Sequence, residues 1–309
     1  MNRKWLAFPV VLLVVAACGA STTSPGGSGQ TGPSGTGPGT STSGTDPTDG
    51  ATAPDAGSDV VTDAPTGVST AGCGKTGVPT GLSSKTTTVA GASRRYQLFV
   101  PTSYDASKKT RLAFIFHGLG GNGDQIRAYL SLESQAAGEA LFVYPDGLPQ
   151  ADQGGSTAWS LGDIAFFDTM VSEISSSHCV DPARIFAAGH SFGAYMSNLV
   201  GCERGDVVRA IAPVSGGLVS ATCKGPVAAW LAHGDSDPVV AQSEGIAARD
   251  HWITANGCAK TSKPTTPSPC VTYDGCGAGH PVTWCSFAGG HYPLPAYTQQ
   301  AIWDFFKVL

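Results

Sequence analysis

The chain has 309 residues, 41 % of them hydrophobic and only 13 % charged, with a formal net charge of −5. That length suits one large domain with additions. A surface so sparsely and slightly negatively charged offers no footprint for a polyanion, which excludes nucleic acid as a partner class.

Residues 1–18 read as an export leader. Arg3 and Lys4 form a charged start, and an apolar run from Trp5 to Ala17 follows. The run is too short to span a bilayer as a mature helix. Val15-Ala16-Ala17-Cys18 resembles a bacterial lipobox, which makes Cys18 the expected lipidation site; the plainer reading is cleavage near Ala17 or Ala20. A lipid there would tether the protein to a membrane without spanning it. The expected location is outside the cell or at its surface. Residues 19–72 are Ser, Thr, Gly, Pro, Ala and Asp for the most part, with neither a basic nor an aromatic residue. Such a stretch cannot bury enough apolar surface to offset its ordering entropy, so it reads as a disordered tether with an r.m.s. reach of about 40 Å.

Residues 73–309 read as one folded domain. Lys85 to Pro101 suggests an opening hairpin. Leu112 to Phe116 is a continuous apolar run, as expected of a strand buried on both faces. A helix is expected over 124–140, a strand over 141–144, and an amphipathic helix over 164–177. Strands at 184–188, 208–214, 227–231 and 282–287 alternate with helices at 194–202, 242–255 and 296–306. This alternation predicts an α/β fold, a mostly parallel central sheet covered by helices on both faces.

Nine cysteines are present. Setting Cys18 aside leaves Cys73, Cys179, Cys202, Cys223, Cys258, Cys270, Cys276 and Cys285, all beyond the tether. An even number in an exported domain implies disulfides, but eight cysteines allow 105 pairings and the sequence does not choose among them. A zinc site would need paired Cys-x-x-Cys spacings, and none occurs.

Gly189-His190-Ser191-Phe192-Gly193 follows a predicted buried strand and opens a predicted helix. That strand-to-helix turn is the setting in which G-x-S-x-G lifts a serine above the sheet of an α/β-hydrolase. Ser191 is the expected nucleophile. A serine hydroxyl needs a base, and in this fold the partners follow in the order Ser, acid, His. His117, His178 and His190 precede the serine, and His233 precedes the candidate acids. His251 falls in a predicted helix and His280 in a cysteine-rich loop. His291, after the last strand and the Gly289-Gly290 pair, remains as the base. Asp235 and Asp237 both follow the preceding strand, and Asp237 is favoured as the acid that orients the imidazole.

The His117-Gly118-Leu119-Gly120-Gly121 loop follows the strand ending at Phe116. In α/β-hydrolases this loop supplies one oxyanion donor and the residue after the nucleophile the other, which points to the N–H groups of Leu119 and Phe192. The same loop matches a dinucleotide fingerprint, Gly118-x-Gly120-x-x-Gly123 with Asp146 onward. That reading is rejected: nicotinamide cofactors are scarce outside the cell, the motif follows a hairpin instead of opening the sheet, and the Ser–Asp–His order would go unexplained.

The stretch from Cys73-Gly74-Lys75 to the C-terminus resembles secreted feruloyl esterases of carbohydrate esterase family 1, relatives of polyhydroxybutyrate depolymerases. The most specific residues are Cys270-Val271-Thr272-Tyr273-Asp274-Gly275-Cys276 running into Gly279-His280-Pro281-Val282-Thr283-Trp284-Cys285, with Gly290-His291 before Pro293 and Pro295. Cys179-Val180-Asp181, Arg249-Asp250 and Asn256-Gly257-Cys258 are also alike. The resemblance implies hydrolysis of ferulate or related hydroxycinnamate esters on plant-wall arabinoxylan or pectin, with no metal or organic cofactor. It supports Ser191, Asp237 and His291 as the triad. Trp159, Leu161 and Trp284 are expected to line an aromatic-acid pocket. The alternatives are a polyhydroxyalkanoate depolymerase, an acetylxylan esterase, or a non-catalytic surface lipoprotein that binds polysaccharide. The oligomeric state is not legible.

Overall fold

A computed structural model of the protein describes residues 67–219 and 223–309. The expected leader, Cys18 and nearly all of the expected tether lie outside the described residues.

The chain enters through the hairpin β1 (Gly81–Val89) and β2 (Ala92–Val100). Strand β3 (Thr110–Phe116) follows, then two short helices, α1 (Gly123–Leu130) and α2 (Leu132–Ala136). The sequence predicts one continuous helix here. The structure breaks it at Ser131, whose φ of +47° is left-handed, with its N–H donating to the Arg127 carbonyl. Strand β4 (Ala140–Pro145) is fully buried. A two-stranded ribbon, β5 (Leu148–Pro149) with β6 (Thr157–Ala158), leads to α3 (Asp163–Ser177). Next come β7 (Val180–His190), α4 (Phe192–Glu203), β8 (Ala210–Val214) and β9 (Ala228–Gly234). Helix α5 (Gln242–Ala255) precedes two short strands, β10 (Ser262–Pro264) and β11 (Val271–Tyr273). Strand β12 (Val282–Phe287) and α6 (Thr298–Lys307) complete the chain.

Ten strands form one sheet in the order β1-β2-β4-β3-β7-β8-β9-β12-β11-β10. The six central strands are parallel to one another, and antiparallel strands close both edges. Leu112 to Phe116 are completely buried, as the unbroken apolar run requires of a strand covered on both faces. One apolar layer joins the sheet to Phe166, Phe167 and Met170 of α3, Met196 and Leu199 of α4 and Trp252 of α5. The opposite layer takes Ile126 of α1, Leu132 of α2 and Ile302, Trp303 and Phe306 of α6. The mostly parallel sheet covered by helices on both faces, as expected from the alternation, is therefore present.

All eight cysteines of this region pair: Cys73–Cys179, Cys202–Cys223, Cys258–Cys276 and Cys270–Cys285. The last two pin the β10–β11 segment to α5 and β12. Among the described residues no helix is long and apolar enough to cross a membrane.

Register carries the site. Phe116 of β3 pairs with Gly189 of β7, His190 with Val214 of β8, and Gly234 of β9 with Phe287 of β12. The strands thus end level, and their following loops open on one rim. Chain order reverses between β3 and β7, and at such a switch point a parallel sheet leaves a crevice at its carboxyl edge.

Candidate active site

Ser191 occupies the turn between β7 and α4 with φ +60° and ψ −123°, outside the ordinary allowed regions for a residue with a side chain. Its N–H donates to the Val214 carbonyl, which ties the turn to the next strand. The two glycines of the motif are sterically required. A Cβ on Gly193 would overlap the Phe116 carbonyl, and one on Gly189 would overlap the Gly193 carbonyl. Strand β3 and helix α4 can therefore approach closely only around hydrogens.

Asp237 lies beyond the end of β9 and His291 beyond the end of β12. His291 Nδ1–H donates to Asp237 Oδ2 at 2.7 Å. The other carboxylate oxygen accepts the N–H groups of Val239 and Val240 at 2.9 and 3.0 Å. Burial pushes the Asp237 carboxyl up, but the bond from His291 and the two amides outweigh it, so the group stays below the usual carboxylate range. It is an anion at neutral pH. The far nitrogen of His291, Nε2, is buried without a hydrogen-bond partner. The His291 ring packs at a tilt against His190, the residue before Ser191, with centroids 4.6 Å apart. Asp237 and His291 are thus brought together, on the rim that also carries the Ser191 turn. Asp235, the other candidate acid, accepts the Gly289 N–H instead.

The loop after β3 passes directly over the serine: a Cβ on Gly118 would lie 3.7 Å from Ser191 Oγ. Among the described residues, no backbone carbonyl takes up the N–H of Leu119 or Phe192. The Leu119 side chain is half exposed. The loop is held from beneath by His117. Its Nδ1–H donates to the Gly118 carbonyl and its Nε2 accepts from the Gly147 N–H. Burial keeps this imidazole neutral by lowering its pKa, as that pair of roles demands. Asp146, the acidic residue of the dinucleotide-like pattern, accepts the Gly123 N–H at the start of α1 and pairs with Arg95. It is a local brace.

No family model matches the sequence. Feruloyl esterase C from Emericella nidulans is 35 % identical over 257 residues, covering 78 % of this chain and 92 % of the relative. The chain belongs to the feruloyl esterase family. It is a carboxylic ester hydrolase. Solved structures agree on the fold. An acetyl xylan esterase from Aspergillus awamori superposes with a TM-score of 0.57 at 16 % identity, over 72 % of this chain and 99 % of that one. A carbohydrate esterase family 1 ferulic acid esterase from Anaeromyces mucronatus gives 0.50 at 16 % identity, over 77 % of this chain and 94 % of its own.

The three expected pocket-lining positions of this feruloyl esterase-family chain differ in exposure. Trp159 is buried, its Nε1–H donating to the His117 carbonyl at 2.8 Å and its ring against Phe116 and His117. Trp284 is also buried, with the Arg249 guanidinium over its ring. Leu161 is 64 % exposed.

Sequence reasoning gave no part to His190 or His233. His190 Nε2–H donates to the His291 carbonyl, and His233 Nε2–H to the Val240 carbonyl in the loop that bears Asp237. The available signal was that each histidine lies at or next to the end of a buried strand after an apolar run, and a buried polar group needs a partner.

Proposed function

We propose that the protein hydrolyses ferulate and related hydroxycinnamate esters of plant cell-wall polysaccharide through a covalent acyl-enzyme. In this reading His291 Nε2 takes the Ser191 proton as Oγ attacks the ester carbonyl. The N–H groups of Leu119 and Phe192 hold the negative charge that develops on the carbonyl oxygen. The sugar hydroxyl leaves with the proton from His291. Water then attacks the acyl-serine by the same route, releasing the acid and restoring the hydroxyl. Asp237 keeps the imidazole in the tautomer with Nε2 free and stabilises the imidazolium. No step calls on a metal or an organic cofactor.

The observation that carries this reading is the 2.7 Å bond from His291 to a buried aspartate, which leaves the opposite ring nitrogen unpaired beside the serine turn. The acyl group is inferred from the feruloyl esterase relatives. The folded domain would act outside the cell or tethered to its surface.

Two measurements test it. Ser191→Ala should remove nearly all turnover of methyl ferulate while the domain stays folded; a variant that keeps near-wild-type turnover refutes the nucleophile assignment. Methyl ferulate, acetylated xylan and polyhydroxybutyrate film, offered in parallel, test the acyl group. Ferulate should be hydrolysed fastest, and a clear preference for either of the others would replace the substrate class.

A further inference from the structure

The end of β7 holds a second imidazole that the catalytic scheme does not use. His190 is 2 % exposed and sits at the centre of an aromatic cluster. Its ring centroid lies 4.6 Å from that of His291, 4.8 Å from Tyr292 and 5.3 Å from Tyr129. Its Nε2–H donates to the His291 backbone carbonyl at 3.1 Å.

The segment bearing His291 needs such a hold. Strand β12 ends at Phe287 and α6 begins only at Thr298, so no ladder fixes the backbone between them. Gly289, at φ +145°, lets the chain turn but adds no stiffness. By contrast, His190 belongs to a central strand paired on both sides. A hydrogen bond from that strand to the carbonyl of residue 291 ties the loop-borne base to the same rigid element that presents the nucleophile.

We propose that His190 is a positioning residue for His291: its Nε2–H anchors the His291 carbonyl and so places the His291 imidazole beside Ser191. The inference rests on the reading of Ser191 and His291 as nucleophile and base. A neutral ring suits the task, because a cation packed against His291 would oppose the imidazolium formed during turnover. Burial, and then the neighbouring His291, keep His190 neutral by lowering its pKa to about 3.

Two substitutions separate the hydrogen bond from the ring contact. His190→Phe keeps a flat ring and removes the donor; His190→Gln keeps an N–H donor and removes the ring. With methyl ferulate, His190→Phe should lower kcat by on the order of 10², the cost of misplacing a reacting group by about an ångström, with KM within about twofold. His190→Gln should recover a large part of that loss. Labelling of Ser191 by a fluorophosphonate should slow in parallel with kcat. Wild-type kcat and labelling in His190→Phe, or equal losses in both variants, overturn this inference alone. A wild-type protein that does not label at Ser191 overturns the triad reading and this inference with it. Should His190→Phe be insoluble, His190→Leu takes its place with the same outcomes.

Discussion

Asp237 meets His291 side chain to side chain at 2.7 Å, while Asp235, two residues earlier, spends its carboxylate on the Gly289 amide at 3.1 Å. Both aspartates serve the same pair of loops, but only one can fix an imidazole tautomer. The other braces the turn that delivers the imidazole.

That division predicts unequal losses. Asp237→Asn should lower kcat on methyl ferulate by roughly 10³–10⁴, because the amide no longer selects the productive tautomer. Asp235→Asn keeps an acceptor oxygen for Gly289 and should cost less than about tenfold, within the range of a modest displacement. Steady-state kinetics on the two purified variants decides it, and a larger loss at Asp235 would reverse the assignment.

Acid should weaken the fold through His190. Its pKa is about 3 when buried and about 6.5 in an unfolded chain. Between those values the unfolded chain binds the extra proton, so stability is full above about pH 6.5 and falls as pH drops toward 3, by up to roughly 1.4 kcal/mol per pH unit for this one group. His117 and His233, also lowered by burial, act in the same direction. Denaturation midpoints of wild type and His190→Gln at pH 7 and pH 5 should show a shallower loss in the variant. Equal pH dependence would mean that His190 is not buried neutral.

Much of this arrangement was legible in the sequence, and the parts that were not share a cause. The central strands announce themselves as apolar runs because parallel strands are buried on both faces. The serine turn is legible because its glycines sit at fixed offsets from the nucleophile. The break at Ser131 falls where four-residue apolar steps, Ile126 to Leu130 and Leu132 to Ala136, are separated by a step of only two, which a single helix over 124–140 overlooks. There the Arg127 guanidinium is bound in fork fashion by Glu133, six residues on. Strands β10 and β11 have three residues each, β11 pairing with β12 and β10 with β11 at the sheet edge. Disulfide pairing follows the spatial order of the strands, which composition does not encode. His190 escaped notice for the same reason: its partner is 101 residues away.

Close packing beneath the nucleophile predicts that Gly193→Ala is severe. The added methyl would overlap the Phe116 and His117 carbonyls, which are backbone of a central strand and the loop it feeds, with no flexible side chain to yield. Clashes of this kind cost about 1–3 kcal/mol and sometimes more. The variant should show a lowered thermal midpoint and a loss of esterase turnover together, read by calorimetry and methyl ferulate assay. Unchanged stability would show that α4 can move away from β3.

Stability and turnover should part company at the Cys73–Cys179 bridge. The bond spans 106 residues, and a loop of about that length corresponds to roughly 4–5 kcal/mol in the chain-entropy account. Cys179 precedes β7 and Ser191 follows it, so the bridge and the serine stand at opposite ends of one 11-residue strand. Removing the bridge should therefore loosen the N-terminal approach to the hairpin and the end of α3, where the Gly72 N–H meets the Ser175 carbonyl, without disturbing the catalytic rim. Replacing both cysteines with alanine is expected to lower the denaturant midpoint by more than the same change at Cys258–Cys276, which closes only 18 residues. The kcat of the folded fraction, counted by fluorophosphonate titration at a temperature well below the midpoint, should stay within about twofold, since distant sites with no shared partners act independently. A large drop in kcat per labelled serine would mean that strain travels the length of β7, and the rim would then owe its geometry to the far end of the sheet as well as to the register of its own loops.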